Sequence, residues 1–172
     1  MGSYYVFPIT MDSLTICLEK GVVGARGHNA NRLKNIKIGD LVIFYVSREK
    51  FTSMNYIRKF CSIVKCTGPS YESKKMIWSV TGEMFSTRLP IEVIHHKTAD
   101  IEPLIKSLKF IKNKKNWGSA FISGIRKITY DDFKRSKGLS NRESLKEDEG
   151  MLFLFGTTGI YYFWMKDMKF PI

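Results

Sequence analysis

The stretch Phe110-Ile-Lys-Asn-Lys-Lys-Asn-Trp-Gly-Ser-Ala-Phe121 places three lysines and two asparagines between apolar and aromatic anchors. Lysines neutralise phosphates, asparagine amides hydrogen-bond to base edges, and aromatic faces stack on bases. The combination favours a nucleic acid over a small metabolite as the ligand. A solvated basic loop held in place by two core aromatic residues would show the same pattern, and the stretch alone does not separate these interpretations.

The charge of the chain is unevenly distributed. The 172 residues carry a net charge of +12, yet residues 136–172 hold five basic and five acidic side chains, so the whole excess falls on residues 1–135. A basic body with a neutral tail predicts a polyanionic partner. A membrane surface is a weaker alternative because no basic amphipathic helix is evident, and we predict no membrane association. The first residues lack the features of a signal peptide, which predicts a cytoplasmic protein.

The apolar pattern predicts a β-rich body with peripheral helices. Thr10 and Gly21 bracket a helix over Met11–Lys20, a second helix covers residues 100–108, and Thr129 caps a final short one. The polar residues 47–59 are interpreted as an excursion between strands. The predicted class is α+β, a mixed β-barrel with short flanking helices. Its strands are predicted at Tyr4–Ile9, 41–46, 60–66, 76–85, 89–96 and 124–129.

A second polar segment follows the first predicted helix. Residues 24–32 form a glycine-containing bend with five side chains that donate or accept hydrogen bonds, which can line a pocket. An ordinary solvated loop remains the alternative. The five side chains are Arg26, His28, Asn29, Asn31 and Arg32.

The cysteines indicate reduced, buried thiols. Cys17, Cys61 and Cys66 are odd in number, and no histidine lies at a matching ligand distance. Cys61 and Cys66 fall on one predicted strand, where a separation of five places them on opposite faces. We assign no metal and no cofactor.

The last residues differ in character from the body. Residues 136–149 are polar and resemble a linker, and two apolar strands flank Gly156-Thr-Thr-Gly159, a hairpin signal. An isolated hairpin is only marginally stable in water, so it must pack on the body or on a second copy of the chain. Packing on a second copy would give a homodimer through residues 151–172. We therefore expect a domain over residues 1–135 and an appendage over residues 136–172.

Four motifs taken in order resemble an EVE domain of the small archaeal type, over residues 3–135. They are Tyr4-Tyr5-Val6, Gly24-Ala25-Arg26, Ile38-Gly39-Asp40-Leu41 and the run from Leu108 to Trp117. The resemblance implies a PUA-like β-barrel, related to YTH domains, with a pocket for a flipped, modified base. It also implies that residues 8–10, 24–29 and 112–117 build that pocket. Family members often carry a tryptophan where this chain has Val23. Residues 138–172 resemble a truncated piece of an uncharacterised small β-rich domain-of-unknown-function family.

The favoured hypothesis is a non-catalytic module that recognises a modified base, with RNA favoured over DNA. In it Ser119, Thr10 and Asn29 hydrogen-bond to a base edge, and Trp117 or Tyr5 stacks on the base. The rest of the predicted nucleic-acid-binding set is Arg26, His28, Arg32, Lys112, Asn113, Lys114 and Lys115.

Two alternatives belong to other classes. A nucleic-acid-processing enzyme finds little support: Asp131 and Asp132 are predicted to cap a helix, and the adjacent His95 and His96 point to opposite faces of a strand. No nucleophile–base pair can be assigned. The other alternative is a protein-interaction module that uses the aromatic C-terminal hairpin.

Overall fold

The computed structural model describes residues 2–78 and 84–138. The chain divides into two units, Met1–Ser140 and Asn141–Ile172, and every described residue belongs to the first. The predicted hairpin around residues 156–159 and the homodimer through it lie outside the described residues.

Seven strands of the described chain form one mixed sheet that curls into a half-barrel. The strands are β1 (Tyr4–Ile9), β2 (Val22–Ala25), β3 (Leu41–Arg48), β4 (Tyr56–Cys66), β5 (Tyr71–Glu72), β6 (Thr87–Asp100) and β7 (Arg126–Ile128). Their order in the sheet is β2-β6-β4-β3-β1-β7, with the short β5 paired to β6. Only β1 and β3 run parallel; each of the remaining pairs within the described residues is antiparallel. The predicted α+β class is thereby confirmed.

Short helices flank the sheet. They are α1 (Met11–Lys20), α2 (His28–Lys34), α3 (Ser119–Ile122) and α4 (Tyr130–Ser136), with a 3-10 turn at Glu102–Leu104. The prediction of α1 is confirmed at both ends, and Gly21 closes it with φ 61°, a left-handed conformation that glycine adopts readily. Thr10 stands at the N-cap, but its hydroxyl donates to Asp12 Oδ1 at 2.5 Å instead of accepting from the helix backbone.

Both faces of the central strands are buried. Along β3, Phe44 and Val46 enter a first core cluster, whereas Ile43 and Tyr45 enter a second one. Because successive strand side chains point to opposite faces, the two clusters lie on the two sides of the sheet. The first contains Leu14 of α1, and the second is covered by residues 101–133.

Three sequence expectations about these elements were wrong. Residues 24–32 are not a loop, since they include the end of β2 and most of α2. The excursion expected at 47–59 shrinks to residues 49–55, because β3 continues to Arg48, which pairs with Tyr56 at the start of β4. The helix expected at 100–108 is only the 3-10 turn, because Asp100 still pairs with Lys59. In the second and third cases, strand pairing extends further along the chain than the side-chain pattern indicates.

The strand expected at 76–85 is also absent from its described part. Residues 76–78 and 84–85 lie in loops, and residues 79–83 fall outside the described chain. Trp78 is nevertheless 1% exposed, so this loop supplies a large ring to the first core cluster.

A bulge in β4 changes which way its cysteines point. Ser62 has φ 51°, and the pairing with β6 shifts register between Cys61 and Ile63. Such an extra residue reverses the alternation of side chains beyond it. Cys61 and Cys66 therefore both enter the first core cluster, so the expectation of opposite faces was wrong. The predicted burial is confirmed for all three cysteines.

Candidate nucleic-acid interface

A buried carboxylate anchors the start of the basic-aromatic stretch, residues 110–121. Asp132 is 1% exposed and accepts hydrogen bonds from the backbone N–H groups of Lys109 (2.6 Å) and Phe110 (3.0 Å). Its own N–H donates to Thr129 Oγ1 at 3.2 Å, which confirms the predicted cap of α4. Phe110 and Phe121 are buried in the second core cluster, as their role of anchors requires.

The polar side chains of this stretch divide into two groups. Lys114 Nζ donates to the carbonyl oxygens of Ile105 (2.9 Å) and Leu108 (2.6 Å), so this lysine stabilises the chain that precedes it. Lys112 and Lys115 are exposed. The three lysines therefore do not share one role, since Lys114 engages the backbone and Lys112 and Lys115 lie on the surface.

Asn113 and Ser119 shape the turn around these lysines. Asn113 Oδ1 accepts from the backbone N–H groups of Lys115 (3.1 Å) and Asn116 (2.9 Å). Ser119 Oγ donates to the carbonyl oxygen of Asn116 at 2.7 Å. Both side chains hold the loop that carries Trp117.

Trp117 lies at the border between core and surface. It is half-buried and packs edge-on against Tyr45 (6.4 Å between centroids) and Phe121 (6.3 Å). The guanidinium carbon of Arg58 lies over the Trp117 ring, 5.7 Å from its centroid. The same carbon lies 4.9 Å from the centroid of Tyr56, a residue that is 51% exposed.

Arg48 extends this arrangement, with its guanidinium 5.3 Å from the Tyr56 centroid. Arg48, Tyr56, Arg58 and Trp117 thus form a surface row of alternating cations and rings, here called the Arg58 cluster. Sequence reasoning found Trp117 but missed the other three. The available signal was an arginine-tyrosine-arginine pattern within residues 47–59, which becomes meaningful only once Arg48 and Tyr56 pair across β3 and β4.

The segment 26–32 lies against the chain that follows α3. His28 Nε2 is 3.2 Å from the carbonyl oxygen of Ser123, and Arg32 donates to that oxygen and to the carbonyl of Ile125 (3.1 Å). Asn29 Oδ1 accepts from Ile125 N–H at 3.1 Å, and a Cβ on Gly124 would overlap this amide. Three of the predicted site residues therefore fasten α2 to residues 123–125, close in sequence to Trp117.

A second aromatic group surrounds Gly24. A Cβ at this position would lie 2.6 Å from both Trp78 Cη2 and Phe85 Cβ, so only glycine permits the approach of both side chains. The two rings meet edge to face at 5.1 Å, and the exposed Arg26 lies 6.0 Å from the Phe85 centroid. Sequence reasoning placed Trp78 and Phe85 on a strand and did not bring them to this loop.

Two predicted site residues lie elsewhere. Tyr5 is 8% exposed in the first core cluster, on the side of the sheet opposite Trp117, and donates to the Asn35 carbonyl at 3.4 Å. Burial, and next the charge of Asp40, raise the pKa of this phenol. The Tyr5 ring packs in the core, and its expected role in stacking on a base stays a prediction. The Thr10 hydroxyl is engaged with Asp12, so it is not directed at a ligand.

One serine–histidine contact bears on the enzyme alternative. Ser62 Oγ and His96 Nδ1 are 3.1 Å apart, and burial, followed by the charge of His95, lowers the pKa of His96. Ser62 is 2% exposed, however, which keeps a substrate from its hydroxyl. Within residues 2–78 and 84–138, no three His, Cys, Asp or Glu side chains are grouped to hold a metal ion. None of the helices in that part of the chain is long and apolar enough to span a membrane.

The sequence of the chain matches known protein families. The EVE domain model matches residues 7–135, and that of DUF192, an uncharacterized family, matches residues 126–172. A UPF0310 protein of Pyrococcus abyssi is 31% identical over 140 residues, which cover 80% of this chain and 99% of that protein.

Solved structures share the fold at low sequence identity. The YTH domain of Zygosaccharomyces rouxii MRB1, solved in complex with N6-methyladenosine RNA, has a TM-score of 0.55 at 12% identity over 90% of both chains. A protein of Agrobacterium tumefaciens has a TM-score of 0.53 at 16% identity, over 80% of this chain and 92% of the other. These likenesses confirm the predicted fold. Since the EVE model covers well over half of the sequence, the chain belongs to the EVE domain family.

Proposed function

We propose that this protein is a non-catalytic nucleic-acid-binding module that prefers RNA to DNA and recognises a modified base beside Trp117. The observation that carries the proposal is the Arg58 cluster, in which exposed rings and guanidinium groups alternate on the surface. Aromatic faces stack on unpaired bases, and arginine contributes through both charge and cation–π contact.

The electrostatics of the body support a polyanionic ligand. The net charge of +12 lies on residues 1–135, and Lys112 and Lys115 precede Trp117 in the same exposed segment. Such lysines contact phosphates as point charges, which gives affinity without sequence selectivity. Selectivity must then come from the rings, because stacking acts on the base itself.

The fold adds independent support for RNA. A YTH domain with the same fold has been solved in complex with N6-methyladenosine RNA. At 12% identity this likeness concerns the scaffold, so the modified base taken by the present chain is a separate question, which binding measurements answer.

The test is a fluorescence anisotropy titration with labelled RNA and DNA of one sequence, with and without methylated bases. Affinity should fall steeply between about 50 and 200 mM salt, because bound lysines release counterions from the phosphates. Replacing both Lys112 and Lys115 with alanine should flatten the salt dependence for every ligand. Binding that does not change with salt would contradict the proposal.

Trp117→Ala separates recognition from packing. This variant should reduce the difference in affinity between modified and unmodified RNA, since a stacked base contributes about 1–3 kcal/mol to binding. The salt dependence of binding should stay unchanged. Tyr71→Ala is the matched control, because Tyr71 is 45% exposed on β5 and outside the Arg58 cluster. Melting curves of both variants show whether any loss follows unfolding. A folded Trp117→Ala protein with full discrimination would refute the assignment.

The non-catalytic part of the proposal has its own test. Labelled RNA and DNA are incubated with the protein, with and without divalent metal, and the products are separated by size and by base composition. Any cleaved or altered nucleotide that increases with protein concentration would make the protein an enzyme.

A further inference from the structure

The Arg58 guanidinium occupies a position that suits a ligand. Its central carbon lies over two rings at once, 4.9 Å from the Tyr56 centroid and 5.7 Å from the Trp117 centroid. The faces of aromatic rings carry negative potential and attract cations, most strongly for tryptophan. Two such faces directed at one point form a site for a flat, positively charged group, and in the free protein a side chain of the chain itself fills it.

Carboxylates border the same place. Arg58 Nη1 lies 3.7 Å from Glu102 Oε1, and an open surface cavity of about 590 Å³ beside Tyr56 and Arg58 has Asp100 and Glu102 in its wall. Asp100 is engaged with Lys59 at 3.5 Å, so Glu102 is the carboxylate that responds to the charge held between the rings.

Arg58 is held in place without being buried. Its φ of 56° is left-handed and coincides with the register shift between Val46 and Arg48, so a bulge in β4 sets the direction of this residue. The side chains of its ion pair with Glu102 are 45% and 72% exposed, so solvent weakens that pair and the guanidinium can exchange. The backbone therefore directs Arg58 between the rings, while the side chain remains displaceable.

The electrostatics select what can take its place. A neutral base would gain stacking but would lose the cation–π contacts and leave Glu102 without its partner. A base with a delocalised positive charge replaces both interactions. A cationic peptide would also fit between the rings, but the net charge of +12 on the body repels it and attracts phosphodiesters.

We propose that Tyr56, Trp117 and Glu102 bind a positively charged methylated purine of RNA, of the N7-methylguanine type, which displaces Arg58. This proposal rests on the proposed function and specifies the ligand class of the same site. N7-methylguanine carries its charge in a flat ring and offers N–H donors on the edge that a carboxylate can accept. Exchange occurs without covalent chemistry, since one cation replaces another.

The test compares N7-methylguanosine 5′-monophosphate with guanosine 5′-monophosphate by calorimetric titration of the full chain. We expect the methylated nucleotide to bind at least about tenfold more tightly, in line with the strength of desolvated cation–π contacts. N6-methyladenosine 5′-monophosphate, which is neutral in its base, should show no comparable gain over its unmethylated form. Equal affinity for the two guanosine nucleotides would overturn the proposal.

Three variants test whether the ligand displaces Arg58 or whether Arg58 stays in place and only lines the site. Arg58→Gly removes the competing cation and suits the left-handed backbone, so it should strengthen binding of the methylated nucleotide; weaker binding would overturn the exchange. Glu102→Gln should reduce the preference for the charged base severalfold. Glu92→Gln, an exposed position on β6 outside the cavity, is the matched control and should leave the preference intact.

The two proposals fail in different ways. If RNA binds with a steep salt dependence but the charged base gains nothing, only the ligand class is overturned. If the charged nucleotide binds and RNA does not, the site is supported and the proposed RNA-binding function is overturned.

Discussion

Removing the Asp132 carboxylate should destabilise the body strongly, because two backbone N–H groups depend on it. Asp132→Ala removes the acceptor of two backbone N–H groups, that of Phe110, which is buried, and that of Lys109, which is partly buried. An unsatisfied buried donor costs about 1–3 kcal/mol, and water can reach the second group, so the expected total is about 2–4 kcal/mol. This is a large fraction of the stability of a typical domain.

Urea denaturation followed by tryptophan fluorescence measures this loss. With the usual dependence of unfolding free energy on urea, the midpoint of Asp132→Ala should fall by about 1–2 M. Asp131→Ala is the matched control, since Asp131 is 59% exposed and only pairs with Lys109 Nζ at 3.3 Å. Exposed pairs contribute about 0–1 kcal/mol, so its midpoint should hardly move. Equal midpoints for the two variants would refute the account of how residues 110–121 are anchored.

Three further predictions follow from the packing. Gly24→Ala should lower the melting temperature by several degrees, since overpacking costs about 1–3 kcal/mol, whereas Gly118→Ala, with nothing within 4 Å, should not. The thiols of Cys17 and Cys61 should resist alkylation at about pH 8.5, because burial raises the pKa of each to about 12 and leaves little thiolate; rapid labelling of the folded protein would contradict this. Lys114→Ala should lower the urea midpoint, because two carbonyl oxygens lose their donor, and a midpoint equal to that of the parent protein would disprove its structural role.

Features that depend on neighbours in the chain were predictable. The helix α1 follows from an apolar pattern bracketed by Thr10 and Gly21, and the cap of α4 follows from Thr129 three residues before Asp132. Capping and left-handed termination act within one helical turn, so local sequence contains the needed information. The second role of Asp132, as acceptor for residues 109 and 110, joins positions more than twenty residues apart and was not visible.

The bulge at Ser62 shows the opposite case. A serine in the sequence does not predict a φ of 51°. This conformation arises because β4 pairs with both β3 and β6. One residue with this conformation reversed the direction of the side chains after it and brought Cys61 and Cys66 to the same side of the sheet. An alternation rule applied to sequence has no access to such a shift.

The sequence alone accounts for the excess positive charge of residues 1–135, for the helix α1 and the cap of α4, and for the motifs that identify an EVE domain. Tertiary structure decided which aromatic residues serve the surface and which serve the core. Tyr5 and Tyr56 have the same side chain, yet one is 8% and the other 51% exposed. The physical reason is that burial depends on which face of a strand a residue occupies and on what covers that face. For Tyr56, the face is set by its pairing with Arg48, and the cover is set by the position of residues 101–133. Together they place Arg58 between Tyr56 and Trp117.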